Sequence, residues 1–357
     1  MKNNKDIKTI MINDRPIGLG YPPYIIAELS ANHNGDIKRA LKTIEMAKKM
    51  GAEAIKFQTY TPDTLTIDFD GEDFQIHEGL WEGYSLYQLY QWAYTPFEWH
   101  EDLFNHAKKQ GITCFSTPFD ETAVDLLEEL KTPVYKIASF ELIDLPLIKY
   151  VAKTGKPMII STGMGNLEEI SEAVETAREG GCEEIILLHC ISGYPTPFEQ
   201  SNLRTIPDLA NKFDVIVGLS DHTLGTAVSV ASVALDACVI EKHVTLSRKD
   251  SGPDTEFSLE PSELKKLCID SKIAWEALGT AGYDRKTVEE ESIKFRRSIY
   301  AIRNIRAGEK LTSKNIRRIR PGFGLSPKYY EKILGSTAKV DILRGTRLTF
   351  ELITWNP

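Results

Sequence analysis

The chain has 357 residues, of which 42% are hydrophobic and 26% charged. This is ordinary globular usage, and it excludes disordered, fibrous and collagen-like chains. The net charge of −8 is unevenly spread, with +10 over Arg296 to Pro357 and −18 over the residues before it. A basic tail of this kind contacts nucleic acid, docks on an acidic body, or closes over an anionic substrate.

The first residues, MKNNKDIKTIMINDRPIG, are interrupted by charge before any apolar run develops, so no secretory h-region is read there. The weakly charged stretch from Leu224 to Ile240 is broken by Asp236 and rich in small residues, unlike a membrane span. A cytoplasmic protein without membrane segments is expected. The five cysteines form no CxxC pair, and Cys114, Cys190 and Cys238 fall in apolar strand-like runs, which reads as buried reduced thiols.

From Tyr24 to Gly279 short β-branched runs alternate with amphipathic helical stretches. The strands are predicted at Tyr24 to Glu28, Ala54 to Gln58, Thr113 to Thr117, Val134 to Ser139, Pro157 to Thr162, Ile185 to Cys190, Val215 to Ser220 and Cys238 to His243. Helix candidates such as DIKRALKTIEMAKKMG and NLEEISEAVETAREGG follow them, usually closed by a glycine. Eight βα units of this total length predict an α/β chain with a (β/α)₈ TIM barrel, the alternative being a doubly wound open sheet. Three connections are long: Tyr60 to Pro96, rich in Tyr and Trp, Ile191 to Asn202, and Leu246 to Glu260. All three would crowd the catalytic rim.

A charged linker at 283–295 separates the barrel, 1–282, from a small domain at 296–357. That domain holds a half-repeat: Ala301, Ile305, Gly308, Leu311, Thr312 and Ile316 recur as Ala338, Ile342, Gly345, Leu348, Thr349 and Ile353. At this size the module is marginal alone, so it is expected to lean on a barrel.

The C-terminal strand ends of a TIM barrel hold its chemistry, and here they are polar: Glu28, Lys56, Gln58, Thr117, Lys136, Ser139, Ser161, Thr162, His189, Ser220, Asp221, His222, Glu241 and His243. A lysine within a core strand needs an anionic partner. For Lys56 and Lys136, read as lying on neighbouring strands, that partner is Glu28 or Glu241, or a bound phosphate or carboxylate. The lysine pair and the hydroxyl-bearing strand ends favour the bound anion. Lys242 alternates with His243 and is expected on the helix side.

His222 and His243 close adjacent strands and can converge on one metal ion, with Glu28, Asp254 or water as a third ligand. His189 is a weaker candidate. His33 is a ligand, a substrate donor or a turn residue, while His77, His100 and His106 read as surface or loop residues. Gly163-Met164-Gly165 resembles a phosphate loop, although a lone GxG usually makes only a turn. No HExxH, Walker A or GxSxG motif occurs.

Several stretches in this order resemble the sialic acid synthase family: IIAELSANHNG (Ile25 to Gly35), AIKFQTYTPDTLT (Ala54 to Thr66), YKIASFE (Tyr135 to Glu141), HCISGYPTP (His189 to Pro197), GLSDHT (Gly218 to Thr223), EKHVTL (Glu241 to Leu246), SGPDTEFSLEP (Ser251 to Pro261) and FRRSIYA (Phe295 to Ala301). Members of that family condense phosphoenolpyruvate with an N-acylated amino sugar, and a small antifreeze-like or SAF domain follows their barrel. The wording of Ala27 to Gly35 and Leu80 to Pro96 is nearest the branch that makes pseudaminic acid. Ser192 stands where sialic acid synthases usually have Asn.

The resemblance implies phosphoenolpyruvate contacts at Lys56, Thr117, Lys136, Ser139, Ser161 and Ser220. It implies a divalent cation, Mn²⁺ or Mg²⁺, on His222 and His243, and catalytic roles for Glu28, His222 and His243. The sugar contacts it implies are Gln58, Glu141, Ser192, Tyr194, Asp254 and Arg297, with Arg297 reaching the barrel of a second subunit in a swapped homodimer. The implied acceptor is 2,4-diacetamido-2,4,6-trideoxy-L-altrose, with an N-acetylneuraminate or legionaminate synthase as the alternative. Neither a nucleic acid nor a membrane is an implied partner.

Overall fold

The computed structural model describes residues 8–354, and the chain divides into two compact units, Met1–Gly279 and Thr280–Pro357. The first opens with an antiparallel hairpin, β1 (Ile10–Ile12) and β2 (Arg15–Ile17). Eight parallel strands follow: β3 (Tyr24–Glu28), β4 (Ala54–Thr59), β5 (Thr113–Pro118), β6 (Tyr135–Ile137), β7 (Met158–Ser161), β8 (Ile185–Cys190), β9 (Ile216–Asp221) and β10 (Val239–His243). Their ladder runs β5-β4-β3-β10-β9-β8-β7-β6, and β5 and β6 complete the ring by lying side by side. This is the expected barrel, not the open doubly wound sheet.

The helices are α1 (Ile37–Met50), α2 (Pro62–Leu65), α3 (Leu86–Ala93), α4 (Phe97–Gln110), α5 (Glu121–Glu129), α6 (Leu145–Ala152), α7 (Leu167–Glu179), α8 (Thr205–Phe213), α9 (Ala227–Val233) and α10 (Pro261–Leu278). Sequence fixes their ends by local chemistry. Asp36 caps α1 through the Lys38 N–H, and Gly51, at φ 104°, closes it in the left-handed region that a side chain would disfavour. None of the helices among the described residues is long and apolar enough to cross a membrane.

Period-two alternation sorts the strand side chains. Outward residues such as Ile25, Ile55 and Phe57 pack beneath α1, α4 and α10; Ile137, Ile160 and Leu187 pack beneath α5, α6 and α7. On the inward face Ile26, Ala54, Phe115, Ile159, Ile186 and Val239 form a third core, joined by Ile10, Ile12 and Ile17 of the hairpin. The hairpin therefore plugs the N-terminal mouth. Two residues further along, the same inward face turns polar, with Glu28, Lys56, Thr117, Ser161, Ser220 and Glu241. An apolar floor thus supports a polar upper layer.

Lys242 faces outward, as expected, with its ammonium 2.8 Å from Asp221 in a pair that is almost fully buried. Asp221 also accepts from Ser229 of α9 and from the Thr223 N–H, while Lys242 donates to the Thr223 carbonyl. The pair thus holds both backbone polar groups of Thr223, the residue that follows His222.

The predicted strand at Val134 to Ser139 is shorter, because Ser139–Glu141 winds into a 3₁₀ turn in which the Glu141 N–H bonds the Ala138 carbonyl. Four cysteines are buried, Cys268 is partly so, and none is paired in a disulfide. His100 is a correction: it is a fully buried residue of α4, its ring bonding Thr59 and the Pro96 carbonyl. His106 also lies on α4, half-buried beside Glu45, whereas His77 is exposed.

The second unit contains β11 (Ser298–Ala301), β12 (Ile316–Ile319), a short helix α11 (Tyr330–Ile333), β13 (Thr337–Ala338) and β14 (Ile353–Thr354). The half-repeat is a real pseudo-symmetry. Ile305 and Ile342 exchange both backbone bonds, Gly308 donates to Ala338 as Gly345 donates to Ala301, and Leu311 donates to Ser336 as Leu348 donates to Ile299. The repeated Ile305, Leu311 and Ile316, with Ile342, Leu348 and Ile353, make its core.

Candidate active site

The strand ends open into a cavity of about 250 Å³. On its floor Lys56 lies 2.6 Å from Glu28 and 3.8 Å from Glu241, and donates to Thr117 at 2.9 Å. Lys136 lies 3.8 Å from Glu241 and donates to its neighbour's carbonyl at Ile137. The two lysines are not on neighbouring strands: β5 separates β4 from β6. They meet because alternate strands of a barrel contribute to one layer. Both expected partners are present, and both lysines also line the open cavity.

Electrostatics follow from burial. Desolvation pushes Glu28 up to about 7, although Lys56 pulls the other way. Burial opposes the charge of Lys56, but Glu241 and Glu28 hold its pKa above the ordinary value. For Lys136 burial wins over Glu241, and its pKa is lowered. Burial also works against the Glu241 carboxylate, yet Lys136 and Lys56 keep it below the usual range. Of the two cavity lysines, Lys136 is thus the one that its own protein compensates less.

The same cavity is lined by His222 and His243, with ring centroids 5.4 Å apart. His222 Nδ1 pairs with the Ile191 carbonyl at 3.0 Å, with the Cys190 sulfur at 3.8 Å. His243 Nδ1 is buried without a hydrogen-bond partner, 3.7 Å from Asp254. Burial first, then the adjacent His222, keeps His243 neutral. Two imidazoles facing a cavity, one with an orphaned nitrogen, fit a divalent transition ion with open positions for substrate. No set of three or more His, Cys, Asp or Glu converges on one point among the described residues. Glu28 is engaged with Lys56 and the Ser30 N–H, which leaves Asp254, beside His243, or water or substrate to complete the set.

Gln58, Ser139, Glu141, Ser161, Tyr194, Ser220 and Asp254 also line the cavity. Glu28 and Thr117 sit just beneath it, against Lys56. Burial raises Glu141 to about 7, and one of its oxygens has no partner, as is true of the Ser161 hydroxyl. His189 does not reach the cavity; its ring bonds the Ser201 carbonyl. His33 proves to be a turn residue, accepting from the Gly35 N–H and touching Thr95. Arg297 is exposed in the second unit.

The three long connections do meet. Trp81, from the first, donates to the Pro253 carbonyl in the third at 3.1 Å, and its ring lies 5.9 Å from that of Tyr194 in the second. Tyr194 in turn lies 4.4 Å from His222, and Phe257 lies 5.0 Å from His243. Trp81, Tyr60 and Ser30, which the sequence did not single out, share the same cavity, as does Glu241, which the sequence offered only as a partner for the lysines. For Glu241 the signal was its alternation with His243 on one strand face.

Gly163 is a close-approach glycine. Its N–H bonds the Ser139 hydroxyl, and a Cβ there would fall 2.3 Å from Ser192 Oγ and 2.6 Å from Ser139 Oγ. Gly163→Ala is therefore expected to displace both hydroxyls, costing about 1–3 kcal/mol of stability and raising KM for substrate. A melt and KM like those of the parent would refute that packing argument.

The NeuB family pattern matches residues 43–283, and the SAF domain pattern matches residues 296–354. The pseudaminic acid synthase of Campylobacter jejuni (strain 81-176) is 45% identical over 328 residues, 91% of this chain and 95% of that protein. The N,N'-diacetyllegionaminic acid synthase of Campylobacter jejuni (strain NCTC 11168) is 41% identical over 88% of this chain and 95% of that one. Among solved structures, the N-acetylneuraminic acid synthetase of Leptospira borgpetersenii superposes with a TM-score of 0.72 at 32% identity, over 81% of this chain and 96% of that one. The chain belongs to the NeuB family, and its second unit is a SAF domain.

Proposed function

We propose that this chain is a transferase that condenses phosphoenolpyruvate with 2,4-diacetamido-2,4,6-trideoxy-L-altrose, giving pseudaminic acid and phosphate. One observation carries the reading: a single cavity brings together two buried lysines and two imidazoles. That arrangement matches an anionic donor on one side and a carbonyl acceptor on the other. The relatives named pseudaminic acid synthase, at 41–45% identity over more than nine-tenths of the chain, favour this acceptor over others.

Lys136 and Lys56, with Ser139, Ser161, Ser220 and Thr117, hold the phosphate and carboxylate of phosphoenolpyruvate. Gln58, Glu141, Tyr194, Asp254 and Ser192 orient the sugar. C3 of phosphoenolpyruvate forms a bond to the sugar aldehyde carbon, whose oxygen takes a proton. Water adds to the cationic C2, losing a proton that Glu28, raised to about 7 by burial, is suited to accept. The bond between C2 and the phosphate-bearing oxygen then breaks, the C2 hydroxyl passes its remaining proton to the departing phosphate as it becomes the keto group, and phosphate leaves. A divalent cation, Mn²⁺ or Mg²⁺, held by His222 and His243 would supply Lewis-acid polarisation of the aldehyde.

A cytoplasmic site of action agrees with five cysteines free of disulfides. A homodimer agrees with the opposed charges of the two segments and with Phe140, Ile143, Met164 and Phe198, exposed apolar residues on loops after the strand ends. In that dimer Arg297 of one subunit enters the barrel of the other, and the basic segment meets protein, not nucleic acid.

The test is a phosphate-release assay with phosphoenolpyruvate and each candidate acetamido sugar in turn. Release that requires both substrates, and is fastest with the 2,4-diacetamido-2,4,6-trideoxy-L-altrose, is expected. Faster turnover of N-acetylmannosamine would replace this acceptor, and no release with any sugar would overturn the reading.

A further inference from the structure

His222 lies just past the end of β9, and its main chain is tied down on both sides. Its carbonyl accepts from the Thr196 N–H at 3.1 Å. The next residue, Thr223, has its N–H on Asp221 at 2.8 Å and its carbonyl on the Lys242 ammonium. What these bonds leave open is the rotation of the imidazole, a torsion with broad preferences of its own. The strongest hold on that rotation is the Ile191 carbonyl, 3.0 Å from His222 Nδ1. A carbonyl oxygen can only accept, so Nδ1 carries the proton, and Nε2 is the nitrogen whose lone pair is left for a cation.

The Ile191 carbonyl is not fixed by regular structure, because β8 ends at Cys190 and the long connection begins with Ile191. It is held instead by Thr196. The Thr196 side chain is buried, and its hydroxyl donates to the Ile191 carbonyl at 3.0 Å, sharing its proton with the Gly193 carbonyl at 2.9 Å. One residue therefore grips His222 twice, through its N–H on the His222 carbonyl and through its hydroxyl on the carbonyl that orients the His222 ring. Both lone pairs of the Ile191 oxygen are occupied in this way, which sets its direction. We propose that Thr196 is a positioning residue for the cation site: its hydroxyl aims the Ile191 carbonyl, which in turn fixes the tautomer and the rotation of His222. The proposal rests on the reading of His222 and His243 as the pair that holds a divalent cation.

The experiment titrates the metal-free full-length chain with Mn²⁺ alone, as the parent and as Thr196→Val, Thr196→Ala and Thr196→Ser. Groups that orient a metal-binding histidine are worth about 10–100-fold in metal affinity. A loss of that size is expected in Thr196→Val and Thr196→Ala, whereas Thr196→Ser, which keeps the hydroxyl, should bind Mn²⁺ as the parent does. The two variants without the hydroxyl should also need about 10–100-fold more Mn²⁺ for half-maximal phosphate release. They should regain turnover as the cation is raised and keep the parent's KM for phosphoenolpyruvate. Their melts should fall by no more than about 4 °C, the effect of one lost hydrogen bond. Parental Mn²⁺ affinity in the folded Val and Ala variants overturns the proposal. Equal weakening in Thr196→Ser does so too, since the methyl group's packing would then be responsible. Failure of both hydroxyl-less variants to fold would make Thr196 a structural residue and also overturns it. A parent that takes up Mn²⁺ in each of those cases leaves the reading of the site standing; one that binds none overturns both.

Discussion

Lys136→Met is expected to lower kcat/KM for phosphoenolpyruvate by about 10²–10³-fold while leaving the thermal melt close to that of the parent, whereas Lys56→Met should lose both. The difference comes from the partners. Lys136 is buried, approaches Glu241 no closer than 3.8 Å, and has its charge disfavoured by the fold. Methionine removes a charge that the native state tolerates poorly, and Glu241 keeps Lys56 and the Ser220 hydroxyl beside it. A charge kept at such a site despite its unfavourable burial is one that a ligand compensates.

Lys56, in contrast, holds Glu28 at 2.6 Å where no solvent reaches. Removing it strands a carboxylate, an effect of about 3–5 kcal/mol, or a fall in Tm on the order of 10 °C. Raising pH through 7 should deepen that loss, since a Glu28 freed of its cation is stable only when protonated. Steady-state kinetics and melts on both variants make the check. Equal destabilisation by the two substitutions would show that Lys136 is a structural ion-pair residue, not the main anion holder.

The barrel was legible because its strands are short apolar β-branched runs, and the seven strand boundaries other than that of β6 fall within a residue or so of their expected places. The polar layer was legible for the same reason: alternation puts Lys56 and Gln58, or Glu241 and His243, on one face whatever lies across from them. What lies across was not readable, because barrel closure brings together residues far apart in sequence. Hence Lys56 and Lys136 were placed one strand too near, and the Cys190 sulfur beside His222 read only as buried apolar bulk. His100 was misjudged for a local reason. It shares a helical face with Leu103 and Ala107, a spacing of three and four that marks it as core. The half-repeat, by contrast, predicted its own pairing, since two copies of one unit satisfy each other's backbone by exchange.

His243→Ala should abolish tight divalent-cation binding, weakening it by at least about 100-fold, and should reduce turnover by about 10³-fold or more if Lewis-acid polarisation supplies several kcal/mol. It is a cleaner probe than His222→Ala. His222 Nδ1 is tied to the Ile191 carbonyl, so its loss leaves a buried acceptor unsatisfied. The Nδ1 of His243 has no hydrogen-bond partner to orphan, and its ring loses mainly the contact with Phe257, so the variant should fold. Cation content after exhaustive dialysis, measured together with phosphate release before and after EDTA and on return of Mn²⁺, separates the possibilities. Metal content and turnover that both survive the substitution would remove the cation from this pair of imidazoles. Turnover lost with metal retained would instead make His243 a hydrogen-bonding group for the acceptor, and would move the ion elsewhere in the cavity.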